Sequence, residues 1–322
     1  MSDNQIIHGL PATEYHQRPE LSRSQLKVFM ESPRRYYSLL NGWVPPLIAS
    51  DKMNEGTIAH TLLIEKEKFE EQVTEIPETW LTEVPTTTKL PDGSTVPGVI
   101  RVEVPLFKSN GDVNKSGLKQ KEAWRDFEEV HSHKITAKKQ TLTKIRGMVE
   151  ALDSFIAGLL PVPISSDEVL KEPTLIWSDE YGACRARPDL LFIQNNRAMC
   201  IDVKCTGVKT RRQWNRTAQD FGYIYQDVSY TEGIKGVLGV EDVRFIFVVI
   251  TNPSSSREAR KIVYHANYPH SIFAAEYSDD DKNEYLVRWY AARANLKERE
   301  ESGDWSDPDE GIIHTIKQYW SE

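Results

Sequence analysis

Cysteine is scarce in this chain: three residues in 322, Cys184, Cys200 and Cys205. Three thiols make no disulfide framework and fall one short of the four that hold an iron–sulfur cluster. No apolar run approaches the roughly 20 residues needed to cross a bilayer. The start, Met1-Ser2-Asp3-Asn4-Gln5, lacks the basic residues and apolar stretch of an export signal, so the expectation is a cytoplasmic protein with no membrane association. No internal repeat is visible. An excess of positive charge is missing too: 40 Lys and Arg stand against 48 Asp and Glu, a formal net charge of −8. A surface that is basic throughout is thereby excluded, and a polyanion would have to be met by local patches. The 39% hydrophobic content suffices to bury the core of one large α/β domain, or of one domain with a substantial insertion.

What is present is an acidic pair beside a lysine. Residues 174–177, 183–193 and 198–204 read as successive strands, separated by turns at 179–182 and at Asn195-Asn196. Asp189 follows Pro188 in the second strand, and Asp202-Val203-Lys204 closes the third. Period-two alternation puts Asp202 and Lys204 on one face. Neighbouring strands lie about 4.8 Å apart, so a carboxylate from the adjacent strand can meet Asp202 across a small hard cation with Lys204 in reach. A divalent cation relieves the repulsion of two carboxylates, and a lysine beside them suits a reaction on a phosphate. Asp-x-Lys alone is also what an exposed ion pair on a surface strand would give. Here its neighbours are Met199, Cys200, Ile201 and Val203, an apolar setting in which an unpaired charge is costly.

Two helical segments accompany the strands. Residues 56–65 carry Ile58, Leu62 and Leu63 at helical spacing, with Gly56 permitting close backbone approach and His60 projecting from the helix. A histidine so placed equally fits a packed core. Residues 214–233 read as one helix ended by Gly233, and Gln226 and Tyr230, four apart, share a face of it.

Taken in order, Gly56 with His60, Pro188-Asp189, Asp202-Val203-Lys204 and Gln226 with Tyr230 resemble the RecB-type branch of the PD-(D/E)xK nucleases. Within that branch they look most like the RecE-type exonuclease domain of exodeoxyribonuclease VIII, found in phages and prophages. Leu21-Ser22-Arg23-Ser24-Gln25-Leu26, followed by Ser32-Pro33-Arg34-Arg35-Tyr36-Tyr37, is similar to that family's opening helix, and residues 115–124 to its basic segment. The resemblance covers residues 20 to 235. It implies an α/β fold, a central mixed β-sheet flanked by helices. It implies a metal-dependent exonuclease that degrades one strand of linear double-stranded DNA from its 5′ end and leaves 3′ overhangs for recombination by single-strand annealing. The implied setting is a bacterial host cell, with double-stranded DNA ends as substrate, an annealing protein of RecT type as partner and a homo-oligomeric ring as assembly. His60, Asp189, Asp202 and the carbonyl of Val203 become the implied metal ligands. Lys204 becomes the catalytic lysine, Gln226 and Tyr230 its braces and DNA contacts, and Glu65 an acidic group behind them. Mg²⁺ is the expected cofactor, and the histidine would let Mn²⁺ substitute. An endonuclease of the same superfamily, or a catalytically retired DNA-binding or assembly protein, remains open beside this reading.

Positive charge collects where such a site needs it. Lys204, Lys209, Arg211, Arg212 and Arg216 follow one another with no acidic residue between them, and the last four are expected to contact DNA phosphates. A second basic stretch from Lys115 to Arg146 is diluted by Glu122, Asp126, Glu128 and Glu129, as on solvated helix faces. The organisation expected is a single nuclease domain over 1–322. Within it, residues 20–75 hold the N-terminal helices with the histidine. Residues 76–165 hold a proline-marked hairpin insertion and a helix over 137–160. Residues 170–265 hold the catalytic sheet and the Gln226 helix, with further strands at 243–250 and 261–265. Residues 266–322 form a helical tail, capped at Ser278. Trp305 and Trp320 are expected at an exposed subunit contact.

Overall fold

In the computed structural model, which describes residues 4–43, 51–160, 169–208, 210–251 and 272–308, the chain divides into two units. The first comprises Met1–Ile48, Leu160–Arg260 and Ser271–Glu322, the second Ala49–Leu159 and Lys261–His270. The first unit opens with β1 (Gln5–Ile7), α1 (Ala12–Gln17), β2 (Leu21–Ser22), α2 (Arg23–Glu31) and α3 (Pro33–Leu40). The second follows with α4 (Asp51–Ile64), α5 (Phe69–Gln72), β3 (Val73–Ile76), β4 (Thr79–Lys89), β5 (Thr95–Pro105), α6 (Leu118–Val130), β6 (Ile135–Lys138) and α7 (Lys139–Leu159). The chain then returns to the first unit with β7 (Val169–Lys171), β8 (Thr174–Asp179), β9 (Gly182–Ala186), β10 (Leu190–Gln194) and β11 (Arg197–Thr206). It ends with α8 (Arg211–Asp220), α9 (Tyr223–Leu238), β12 (Asp242–Thr251), β13 (Ile272–Ala275) and α10 (Asp279–Ser302).

Local chemistry sets these boundaries. Ser22 and Gln25 form a capping box that starts α2: the Ser22 hydroxyl accepts from the Gln25 N–H, and the Gln25 side chain accepts from the Ser22 N–H. Pro33 opens α3, where its missing N–H loses nothing, behind the Ser32 cap. Ser278 caps α10 by accepting from the Asp281 N–H.

The first unit is a mixed α/β fold of two sheets, ordered β1-β8-β9-β2 and β13-β12-β11-β10-β7. In the second of these, β11 and β12 run parallel and the other neighbours antiparallel. Parallel neighbours need a crossover, supplied here by α8 and α9. Every residue from Phe245 to Ile250 on β12 is buried, the pattern of a strand covered on both faces.

The strand read over 183–193 is in fact two. Arg187-Pro188-Asp189 lie outside both, because Pro188 has no N–H for the ladder, and the chain passes there from the four-stranded sheet to the five-stranded one. The single helix read over 214–233 is also two. It breaks at Gly222, whose φ of 61° lies in the left-handed region, and α9 runs on to Leu238. Gly233 ends nothing: a Cβ there would lie 2.7 Å from the Trp177 ring, so the residue is small because β8 packs against the helix at that point. The segment read as the start of a helical tail contains β13, four residues long and paired with β12. Trp305 is half-buried and stacks on Tyr37 with ring centroids 5.0 Å apart. The strand expected at 261–265 and Trp320 lie outside the described residues.

In the second unit β4 and β5 form an eleven-residue-per-strand hairpin whose inner face, Val84 and Val104, is buried, with α6 packed on the hairpin through Trp124 and Phe127. The unit also holds the parallel pair β3–β6 and the helices α4 and α7, which pack together. No helix among the described residues is long and apolar enough to cross a membrane.

Candidate active site

The kink at Pro188 is what places Asp189. Leu190 of β10 pairs with Ile201 of β11, so the residue before Leu190 stands at the level of Asp202 on the neighbouring strand. The Asp189 carboxylate accepts the Val203 N–H at 2.7 Å, and its main-chain carbonyl accepts the Glu172 N–H at 3.0 Å. Side chain and backbone are thus both anchored.

Asp202, only 2% exposed, is the centre of the arrangement. One of its oxygens accepts from the Gln226 amide at 2.5 Å, and the other lies 2.5 Å from the Lys204 ammonium. The i and i+2 positions of a strand share a face, which is why one carboxylate can hold the lysine two residues on. Gln226 reaches them from α9, the crossover helix that follows β11. The Lys204 ammonium also lies over the Tyr223 ring, 4.8 Å from its centroid.

The electrostatics follow from burial and from the two acids. Burial works to lower the Lys204 pKa, but the Asp202 and Asp189 carboxylates and the hydrogen bond to Asp202 outweigh it, and the net shift is upward. Lys204 is therefore a cation in this setting. Tyr230 packs edge-on against Phe245. Its phenol is pushed well up by burial, with the charges of Asp202 and Asp189 contributing, so it is a neutral hydrogen-bonding group. The Cys200 thiol is likewise pushed well up by burial and the nearby carboxylates, which rules it out as a thiolate nucleophile.

Arg23 belongs to this cluster, although the sequence marked it only as part of an opening helix. From the first turn of α2, its Nη2 donates to the carbonyls of Phe221 at 2.5 Å and Gly222 at 2.7 Å, the two residues of the helix break. Its Nε is buried with no hydrogen-bond partner among the described residues. Burial lowers the Arg23 pKa, against the raising influence of Tyr230, Tyr223, Asp202 and Tyr277. A cation following the capping serine was the only local signal, because the partners lie about 200 residues away.

The remaining expected site residues are distributed as follows. His60 is half-buried on α4 of the second unit, and Glu65, just past that helix, is ion-paired with Lys68. Arg211, Arg212 and Arg216 are exposed on α8, and the Arg211 guanidinium lies 5.9 Å from the centroid of Phe273. Lys209 lies outside the described residues.

Among the described residues no group of three or more His, Cys, Asp and Glu side chains stands ready to hold a metal ion. The first unit nevertheless offers the donor types a hard divalent cation takes: the carboxylates of Asp189 and Asp202 and the carbonyl of Val203. These are hard oxygen donors, and two carboxylates level with each other, Asp202 only 2% exposed, repel each other unless a cation lies beside them. The donor set therefore fits such an ion.

A family model described as "PDDEXK-like domain of unknown function (DUF3799)" matches residues 22–274. No curated protein matches the chain. Among solved structures, a "Putative exonuclease" from Eubacterium rectale is similar over 98% of this chain and 97% of its own, with 12% identity and a TM-score of 0.53. At that identity the likeness is one of fold. A phage-related exonuclease from Haemophilus somnus 129PT aligns with 62% of this chain and 91% of its own, at 14% identity and a TM-score of 0.30.

Proposed function

Because the chain belongs to the PDDEXK-like family DUF3799, which its residues 22–274 match, we propose that it is a Mg²⁺-dependent nuclease acting on DNA, and within that class an exonuclease of RecE type. The observation that carries the reading is the buried Asp202 carboxylate, shared between Lys204 and Gln226 and level with an Asp189 that is locked to the Val203 N–H. A retired fold has no use for such a cluster. Burying a carboxylate costs several kcal/mol unless it is paired, and an apolar residue in the sheet would avoid that cost.

Asp189, Asp202 and the Val203 carbonyl would hold the Mg²⁺, and the resemblance alone adds His60. When bound, the ion supplies a Lewis acid for the phosphate oxygen and lowers the pKa of a coordinated water. Lys204 neutralises charge that develops on the phosphate during attack, a role for a cation held beside two carboxylates. Gln226 fixes the orientation of Asp202 by donating to one oxygen, which leaves the other facing Lys204. Tyr230, a neutral phenol near both carboxylates, braces the cluster from the same helix. Arg211, Arg212 and Arg216, with Lys209, meet the DNA backbone as local positive charge on an otherwise acidic chain.

The finer reading rests on the order of motifs in the sequence. It comprises 5′ to 3′ digestion of one strand of linear duplex, 3′ overhangs delivered to a RecT-type annealing protein, and a homo-oligomeric ring around the DNA. End-labelled linear duplex and closed circular duplex, each with and without Mg²⁺, test it. Metal-dependent loss of the 5′ label from linear DNA with the circle intact supports it. Nicking of the circle favours an endonuclease, and no cleavage of either overturns the nuclease reading.

A further inference from the structure

On the nuclease reading, we propose that Phe221 is a stacking platform for an unpaired nucleobase of the DNA strand entering the site. Phe221 is 55% exposed at the break between α8 and α9. It is nonetheless held firmly. Its ring stacks on Tyr223 with centroids 5.8 Å apart and planes 16° from parallel, and Tyr223 in turn stacks on the buried Phe247 at 5.6 Å and 27°. The three rings form a ladder from the surface into the sheet, and the Lys204 ammonium sits 4.8 Å from the middle ring. Phe221 is therefore one ring removed from the lysine that faces the phosphate.

The backbone beneath the ring is fixed by cations from a distant helix. Arg23 donates to the Phe221 and Gly222 carbonyls, and Lys27 donates to the Asp220 carbonyl at 3.2 Å. Three successive carbonyls are thus tied to α2, and Gly222 supplies the left-handed turn that ends one helix and begins the next. The Lys27 ammonium also lies 5.6 Å from the Phe221 centroid. An exposed aromatic alone says little. A rigid one flanked by Lys27 and Arg23, following a helix with Arg211, Arg212 and Arg216 exposed, offers a π-face and positive charge together. That combination fits a base joined to phosphates, and it tolerates any sequence because every base has a π-face.

The test uses the full chain and DNA carrying 2-aminopurine at the terminal nucleotides of the 5′-ended strand, bound in EDTA so that no cleavage occurs. Stacking on Phe221 quenches the fluorescence in wild type. Phe221→Ala and Phe221→Leu should lose the quenching and bind single-stranded ends about 5- to 150-fold more weakly, the loss expected for one base stack. Phe221→Trp should retain both. The leucine variant keeps an apolar contact with Tyr223, so it decides the matter if the alanine variant is unstable. Wild-type quenching and affinity in the leucine variant would overturn the proposal while wild-type cleavage leaves the nuclease reading standing. A wild-type protein that neither binds nor cleaves DNA would overturn both.

Discussion

Asp227 follows the site residue Gln226 on α9 and faces the other way, into the contact with α10, where it is fully buried and 3.3 Å from the Lys282 ammonium. Burial pushes its carboxyl up to about 6, with the lysine and Thr231 offsetting part of that effect. In the unfolded chain the same group titrates near 3.8. Between those two values the folded protein holds a proton that the unfolded chain has released, so stability falls as pH rises through the window. A shift of about two units corresponds to about 3 kcal/mol at 1.36 kcal/mol per unit. Asn is neutral at every pH and close in shape, so Asp227→Asn should remove this decline. Urea denaturation of wild type and variant at pH 4 and pH 8 isolates it: because pH 4 already lies inside the window, the difference in unfolding free energy should move by about 2 kcal/mol in favour of the variant at the higher pH. Parallel behaviour of the two proteins across that range would show that the buried pair with Lys282 already neutralises the charge and that the Asp227 carboxyl is not raised.

Further outcomes concern the cluster itself and the charges around it. Lys204→Met should cut the turnover number by about 100-fold or more, the scale for losing one charge-stabilising group. It should also lower the melting temperature in EDTA by leaving Asp202 buried without its cation, and Mn²⁺ should restore part of that loss; near-wild-type turnover in a kinetic assay would remove the lysine from the mechanism. Exchanging Arg211 and Arg212 together for alanine should weaken DNA binding and reduce the salt slope of the binding constant by about 2, roughly one per phosphate contact; a salt titration with unchanged slope would place them away from the DNA. For His60→Ala, the rate, a Mn²⁺ titration and a melting curve are measured together. A ligand role predicts severe loss of rate and weaker Mn²⁺ binding with the melting temperature little changed. A destabilised protein with ordinary metal dependence would instead assign His60 to the packing of α4.

The fold class and the acidic pair were legible because a strand repeats every two residues, which makes Asp202, Val203 and Lys204 readable without any tertiary knowledge. The breaks were not. In sequence Pro188 stands out only as part of a motif, whereas its physical effect is to end one strand and let the next join another sheet. Gly222 sits inside an apolar, aromatic run that reads as uninterrupted helix, and the carbonyls it leaves are satisfied by Arg23 from the far end of the chain. In sequence Gly233 looks like a helix end, because its real constraint, the Trp177 ring, belongs to another element. The partners of Arg23 likewise lie on a distant element, and β13 is too short for alternation to register.

The most direct test of the central claim is hydrolysis of end-labelled linear duplex by wild type and Asp202→Asn in Mn²⁺, with calorimetric titration of Mn²⁺ into both folded proteins. Asn keeps the shape and accepts the Gln226 amide, but it removes the charge that would hold both the metal and Lys204. Wild type should bind Mn²⁺ and cleave the duplex, and the variant should do neither. Equal Mn²⁺ affinity and equal cleavage in the two proteins would contradict it.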